Sequence, residues 1–127
     1  MTLLPHLENA SVTVARVSDY VLNPGHPVGR HKARVFKSAL GIEQKHAEEL
    51  AKVLLASLPR SPAVKKRVDS FGERWTTRHE IVSLNGRTAM VSAAWILRPS
   101  APDIPELLSC YVDSQVAGQP VEPEGQK

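Results

Sequence analysis

The chain has 127 residues, 42% of them hydrophobic and 23% charged, a composition that fits one globular domain with a packed core. Its formal net charge of +3 permits an anionic partner without requiring one. The single cysteine, Cys110, excludes an internal disulfide and a multi-cysteine zinc site, and is typical of a reducing compartment, so we expect a cytoplasmic protein. No segment approaches the ~20 apolar residues of a membrane span, so no membrane association is expected.

A helical pattern follows the proline-rich turn that contains Pro24 and Pro27. Ala33, Phe36 and Leu40 recur at i, i+3 and i+7, which predicts a helix over about Gly29 to Leu40. Gly41 has the right position to cap the C-terminus of this helix.

Two further helices are predicted on either side of it. A short helix is expected over Ala15 to Leu22, and the clearest one over Glu43 to Leu58, where apolar residues repeat at i, i+3, i+4, i+7 and i+11. Pro59 and Pro62 end the latter. Residues 1–10 show no period and are expected to be a flexible N-terminus.

From residue 63 the hydrophobic period changes to two, as in β-strands. Because Pro99 to Pro105 contains three prolines, we expect a loop there, and residues 114–127 have so little to bury that we expect a disordered tail. Strands are predicted over Ala63 to Ser70, Arg74 to Ser83, Arg87 to Arg98 and Glu106 to Asp113. The sequence therefore predicts a single α+β domain over residues 11–113, with N-terminal helices packed on one face of a four-stranded antiparallel meander.

The Asn85-Gly86 dipeptide predicts a hairpin but leaves two registers open. If these two residues alone form the loop, Val82 pairs with Ala89; if Leu84 joins them in a type I turn with a glycine bulge, Ser83 pairs with Arg87. We prefer the second register because it separates the side chains better. Its core face holds Trp75, Thr77, His79, Ile81, Ala89, Val91, Ala93 and Trp95, and its other face holds Arg74, Thr76, Arg78, Glu80, Thr88, Met90 and Ser92.

The proline-rich turn before the second helix is the strongest candidate for a functional site. Pro24 and Pro27 fix φ, and we expect Gly29 to adopt backbone angles that other residues avoid. The turn then delivers Arg30, His31 and Lys32 to the first turn of the helix, where anions bind well. A histidine between two cations there predicts a phosphate site.

The same segment resembles a bacterial family of domains of unknown function. The family signature is roughly YxLNPxHPxGxHKAxxFxxxLG, which here runs from Tyr20 to Gly41. Its later features are a Gly-Arg turn, a strand tryptophan, and a final strand with a hydroxyl residue and an aromatic. These correspond to Gly86-Arg87, Trp95, Ser109 and Tyr111. Two positions differ from the family pattern, with Arg16 in place of a lysine and Ser92 in place of a basic residue.

This resemblance implies a fold and an activity. Similar modules stand at the C-termini of bacterial polymorphic toxins, and their proposed fold resembles the metal-independent ribonucleases related to barnase, EndoU, colicin E5/D and RelE. The resemblance therefore implies a toxin-type ribonuclease, RNA as substrate, and a small antitoxin-like or immunity protein as partner.

Acid/base cleavage of RNA needs a base, an acid and cations around the phosphate, and the chain offers residues for each. Catalytic candidates are His31, Lys32, Arg78, Ser109 and Tyr111, and substrate-binding candidates are Arg30, Arg34, Arg74, Glu80 and Ser92. We expect no cofactor and no metal, because no phosphate-binding glycine loop or zinc motif occurs and the histidines lack ligand spacing.

Each candidate also has a purely structural interpretation. His31 can simply bond to the preceding turn, the charged sheet residues can form cross-strand ion pairs, and Tyr111 can cover the edge of the core. The alternative function is therefore a non-catalytic module that binds a protein or RNA through the same face. Neither the oligomeric state nor the RNA substrate follows from the sequence.

Overall fold

The computed structural model describes residues 1–83 and 86–113. Helix α1 is an α-helical turn, Val14–Arg16, that continues as a π-helical turn, Val17–Val21, and it is followed by α2 (Arg30–Leu40) and α3 (Ala47–Ser57). Strands β1 (Ala63–Asp69), β2 (Gly72–Val82), β3 (Thr88–Arg98) and β4 (Ala101–Asp113) form one antiparallel sheet in chain order. Short 3-10 turns cover Leu7–Asn9, Gln44–His46 and Leu58–Arg60. The predicted α+β class and four-stranded meander are confirmed.

Helix α2 shows the predicted stripe, with Ala33, Phe36 and Leu40 buried. Gly41 caps its C-terminus in the left-handed region (φ 69°), and its N–H donates to the Lys37 carbonyl. The explanation predicted for Gly29 is wrong, because its φ of −79° is ordinary helical backbone. Glycine is needed there for space, since a Cβ would stand 2.0 Å from the Tyr20 carbonyl oxygen.

The preferred hairpin register is confirmed. Ser83 N–H donates to the Arg87 carbonyl (2.8 Å), and Trp75 pairs with Trp95 across β2 and β3. The turn residues Leu84 and Asn85 lie outside the described residues, so the turn type stays a prediction.

The loop predicted over Pro99 to Pro105 is wrong from Ala101 onward, because β4 already begins there. Pro102 and Pro105 are tolerated because β4 is an edge strand, where a missing N–H leaves no ladder partner unsatisfied. Ser11 runs alongside this segment, donating to the Pro105 carbonyl and accepting from Leu107 N–H. Ser11 therefore adds a single-residue parallel bridge to the outer edge of β4.

The helices cover one face of the sheet and bury it. The core on that face includes Val17, Val21, Phe36, Leu54, Ile81, Val91, Trp95 and Leu107. Leu4 also belongs to this core, and Ala63 N–H donates to the Thr2 carbonyl, so parts of the N-terminal ten residues contact the domain. The division into a flexible 1–10, a domain and a disordered tail stays a prediction, and residues 114–127 lie outside the described residues. Within the described part of the chain, no helix is both long and apolar enough to cross a membrane.

Candidate functional site

The Lys32 ammonium is the centre of a partly buried polar cluster at the edge of β4. Its Nζ donates to Ser109 Oγ (2.8 Å) and to the Tyr20 hydroxyl (3.1 Å), and it lies 4.8 Å from the centroid of the Tyr20 ring. No carboxylate of the described residues forms an ion pair with it. A cation that is partly removed from water and contacts only neutral groups favours binding of an external anion.

The proline-rich turn holds this lysine in place. His26 Nδ1 accepts from the N–H groups of Val28 and Gly29, and its ring meets the Tyr20 ring edge-on with centroids 4.9 Å apart. The close approach of Gly29 to the Tyr20 carbonyl then fixes α1 against the start of α2. His26 is therefore structural. The turn fixes the backbone position of Lys32 at the start of α2.

A bulge in β4 positions the other partner. The register between β3 and β4 shifts at Leu108, so that Ala94 faces Ser109 while Trp95 faces Leu107. Arg16 lies beside the same bulge, with its guanidinium 3.4 Å from the Leu108 carbonyl. Bulges of this kind re-aim side chains at the rims of sheets, and here the bulge comes directly before Ser109, whose hydroxyl accepts from the Lys32 ammonium.

The face of the sheet away from the helices carries a second row of candidates. Arg78, Ser92 and Tyr111 stand side by side on β2, β3 and β4, and Tyr111 is 47% exposed. Ser92 is only 3% exposed, and its hydroxyl has no hydrogen-bond partner among the described residues. Arg78 forms an ion pair with Asp113 (3.0 Å), so its charge is partly balanced. Ser109 and Tyr111 are two strand positions apart, about 7 Å, which connects this row to Lys32.

The other predicted sheet residues lie further out. Glu80 is exposed on the next row, and Arg74 bonds to Asp69 at 3.4 Å. Hydrogen bonding from Phe71 N–H, with help from nearby arginines, lowers the pKa of the Asp69 carboxyl. Arg74 is thus held in a structural ion pair at the far end of β2.

The basic residues of α2 diverge. Because a helix turns about 100° per residue, His31 points away from the buried stripe, Lys32 points to one flank, and Arg30 and Arg34 point to the other. His31 is exposed, and its ring makes no hydrogen bond to the described residues. The structure therefore brings Lys32 together with Ser109, whereas Arg30 and Arg34 line a separate groove.

A second polar cluster lies in the core around His79, and each of its hydrogen-bonding side-chain groups has a partner. His79 is 0% exposed; its Nδ1 lies 2.6 Å from Ser57 Oγ and 3.0 Å from Ser61 Oγ, and its Nε2 lies 2.6 Å from Thr77 Oγ1. Trp95 Nε1–H donates to the same Thr77 oxygen (2.8 Å). Burial, and then the charge of Arg60, lower the pKa of His79 to about 4. The predicted place of His79 on the core face of the sheet is confirmed.

Tyr20 is the site residue that sequence reasoning did not select, although it stands in the family signature. Its spacing from Lys32 gave no signal, because the contact depends on how α1 packs against α2.

Cys110, next to Ser109, is buried, and burial raises the pKa of its thiol to about 12 although Lys32 acts in the opposite direction. That thiol is therefore no nucleophile near neutral pH. No group of three or more metal-ligating side chains occurs within residues 1–83 and 86–113.

Comparison with known proteins places the chain in a family. The model described as "Domain of unknown function (DUF6883)" matches residues 3–114, so the chain belongs to this family. No curated protein matches the sequence. Among solved structures, the fold is similar to a chain of a contact-dependent growth inhibition toxin–immunity protein complex from Klebsiella pneumoniae 342. The TM-score is 0.61 at 16% identity, covering 84% of this chain and 96% of the other. This likeness establishes a shared fold.

Proposed function

We propose that this member of the DUF6883 family is a toxin-type, metal-independent ribonuclease whose reacting phosphate binds at Lys32. The observation that carries the proposal is the partly buried Lys32 ammonium, which contacts two hydroxyl groups and no carboxylate of the described residues. Such a cation can stabilise the charge that develops on a phosphate as its bond to the leaving oxygen breaks. The fold shared with a chain of a toxin–immunity complex supports the toxin-type part of the proposal.

The proposed reaction is attack of the ribose 2′-oxygen on the adjacent phosphorus. A base takes the 2′-hydroxyl proton, an acid protonates the departing 5′-oxygen, and the products are a 2′,3′-cyclic phosphate and a 5′-hydroxyl. His31 is the proposed acid or base, because it is exposed next to Lys32 and histidine is the side chain used most often in general acid–base catalysis. Lys32 and Arg78 are the proposed phosphate cations.

The open sheet face would hold the nucleotide that flanks this phosphate. Ser109 is about 7 Å from Tyr111 along β4, and Ser92 presents a buried hydroxyl between Tyr111 and Arg78. An exposed aromatic ring beside a hydroxyl fits stacking of a base together with a polar contact to its edge or sugar. An immunity protein would neutralise such a toxin by covering this face.

The test is cleavage of total RNA in the presence of EDTA. We expect the wild-type chain to produce fragments with 5′-hydroxyl and 2′,3′-cyclic phosphate ends, and His31→Ala to lose this cleavage. Intact RNA at micromolar protein, or a His31→Ala variant as active as wild type, would refute the proposed reaction or the role of His31, respectively.

A second candidate, a non-catalytic RNA- or protein-binding module, is favoured by one observation. Arg78 is engaged with Asp113, and Ser92 stands beside it where relatives were expected to have a cation, so the sheet face carries less free positive charge than the family pattern implies. A salt-dependent shift of RNA without cleavage would identify this function.

A further inference from the structure

The opposite flank of α2 from Lys32 borders a basic groove of about 500 Å³ between this helix and the turn that leads into α3. Its rim carries Arg30, Arg34 and Lys37 from α2 and Lys45 from the turn. None of these four cations forms an ion pair with the described residues. The groove therefore holds uncompensated positive charge.

The one carboxylate in the lining, Glu43, offsets one of these four charges and forms no ion pair with them within residues 1–83 and 86–113. Glu43 accepts the backbone N–H of His46 in a capping box, and the His46 ring accepts from Glu43 N–H (2.9 Å) in return. The floor is apolar, formed in part by the buried Leu22 and Ala33. Cations at the rim of an apolar floor suit a ligand that combines repeated anionic groups with flat, weakly polar surfaces.

The cations of α2 are also regularly spaced. Arg30, Arg34 and Lys37 follow one another at i, i+4 and i+7, which places them about 6 and 4.5 Å apart along the helix axis. Successive phosphates of a nucleic-acid strand can meet such a row. An acidic protein segment would match the charge but would not need this linear repeat.

His31 lies on the outer surface of α2, between this groove and Lys32. The helix with its side chains is about 10 Å across, so a strand a few nucleotides long can pass from the groove over His31 to Lys32. We propose that the groove of Arg30, Arg34, Lys37 and Lys45 is a second phosphate-binding site that holds the RNA strand beyond the reacting phosphate. This inference rests on the proposed function, which it deepens by assigning an extended strand as substrate.

The test separates binding from cleavage by using 2′-O-methyl RNA of about twelve nucleotides, which lacks the attacking hydroxyl. We compare the full-length wild type with K37E/K45E and with a matched control, K52E/K65E. The control reverses two exposed lysines outside the groove that pair with Glu48 and Glu73. Fluorescence anisotropy at several salt concentrations gives the affinity and its salt dependence.

We expect K37E/K45E to bind at least about tenfold more weakly and to lower the slope of log K against log salt by about 1.4, two contacts at ~0.7 each. The control should stay within about twofold of wild type. The RNA affinity of K37Q/K45Q should lie between those of K37E/K45E and the control. Thermal melting checks that each variant is folded.

Equal loss of binding in the groove variant and the control would overturn the inference, as would no loss in either. An acidic peptide that binds the groove as tightly as the RNA would identify a protein as its occupant and overturn the RNA assignment. If the wild type leaves natural RNA intact yet binds 2′-O-methyl RNA through the groove, the ribonuclease proposal fails and the binding site stands.

Discussion

Two polar clusters of this molecule differ in how completely their hydrogen-bonding groups are matched. In the core, one assignment of hydrogens satisfies every group: Trp95 Nε1–H donates to Thr77, the Thr77 hydroxyl donates to His79 Nε2, and His79 Nδ1–H faces serine oxygens. Those serines in turn donate to the carbonyls of Val53 and Ser57. This cluster is neutral and closed, as a structural network should be.

At the edge of β4 the matching is incomplete. Lys32 brings a full charge into a partly buried position where its described partners are two hydroxyls. A closed network contributes to stability and leaves no capacity for a ligand, whereas a cluster with unbalanced charge gives up stability and can bind an anion. This difference separates the structural His79 from the proposed phosphate-binding Lys32 better than residue type does.

The largest expected effect comes from Lys32→Met, which removes the charge and keeps most of the side-chain volume. Loss of one cation at the reacting phosphate should lower RNA cleavage by about 100-fold or more. The free energy of unfolding should change by less than about 1 kcal/mol, because the lost contacts are offset by removal of a partly desolvated charge. Cleavage rates and urea denaturation measure the two quantities. Wild-type cleavage by this variant would remove Lys32 from the site, and a large loss of stability would give it a structural role.

The second largest expected effect is a dependence of the free energy of unfolding on pH, caused by the lowered pKa of His79. Its pKa is about 4 in the folded chain and near 6.5 when unfolded, so below pH 6.5 only the unfolded state gains the proton. The free energy of unfolding should fall by about 3 kcal/mol between pH 6.5 and 4 and be insensitive to His79 above pH 7.

Urea denaturation at a series of pH values measures this loss. Hydrogen bonds from Phe71 N–H and Trp75 lower the pKa values of Asp69 and Glu73, so their contributions are lost only as the pH falls further, below about 4. His79→Gln, which does not titrate, should lack the loss between pH 6.5 and 4.5. An unchanged pH profile in that variant would assign the effect to other groups.

The smallest expected effect comes from Tyr20→Phe, which keeps the ring over Lys32 and removes the hydroxyl. The ammonium would lose one hydrogen bond worth about 1 kcal/mol, so cleavage should fall about fivefold. Tyr20→Leu should cost more, because the ring contact is lost as well. Equal activity of Tyr20→Phe and wild type would show that the Tyr20 hydroxyl does not help to position the lysine.

Much of the fold follows from local patterns in the sequence. The stripe of α2, the Gly41 cap and the hairpin register depend on spacing within one or two elements, and each was predicted correctly. The start of β4 was not, because prolines exclude a strand only where their N–H is needed. Whether it is needed depends on β4 being at the edge of the sheet.

The candidate site divides in the same way. The sequence by itself selected Lys32 and the sheet residues Arg78 and Ser92 from residue chemistry and strand alternation, which are local properties. The family resemblance pointed to Ser109 and Tyr111. Only the tertiary structure decided that Lys32 meets Ser109 and Tyr20 while Arg30 and Arg34 turn to another groove. Those choices depend on packing between α1, α2 and a bulged β4, and packing between distant segments leaves no periodic trace in the chain.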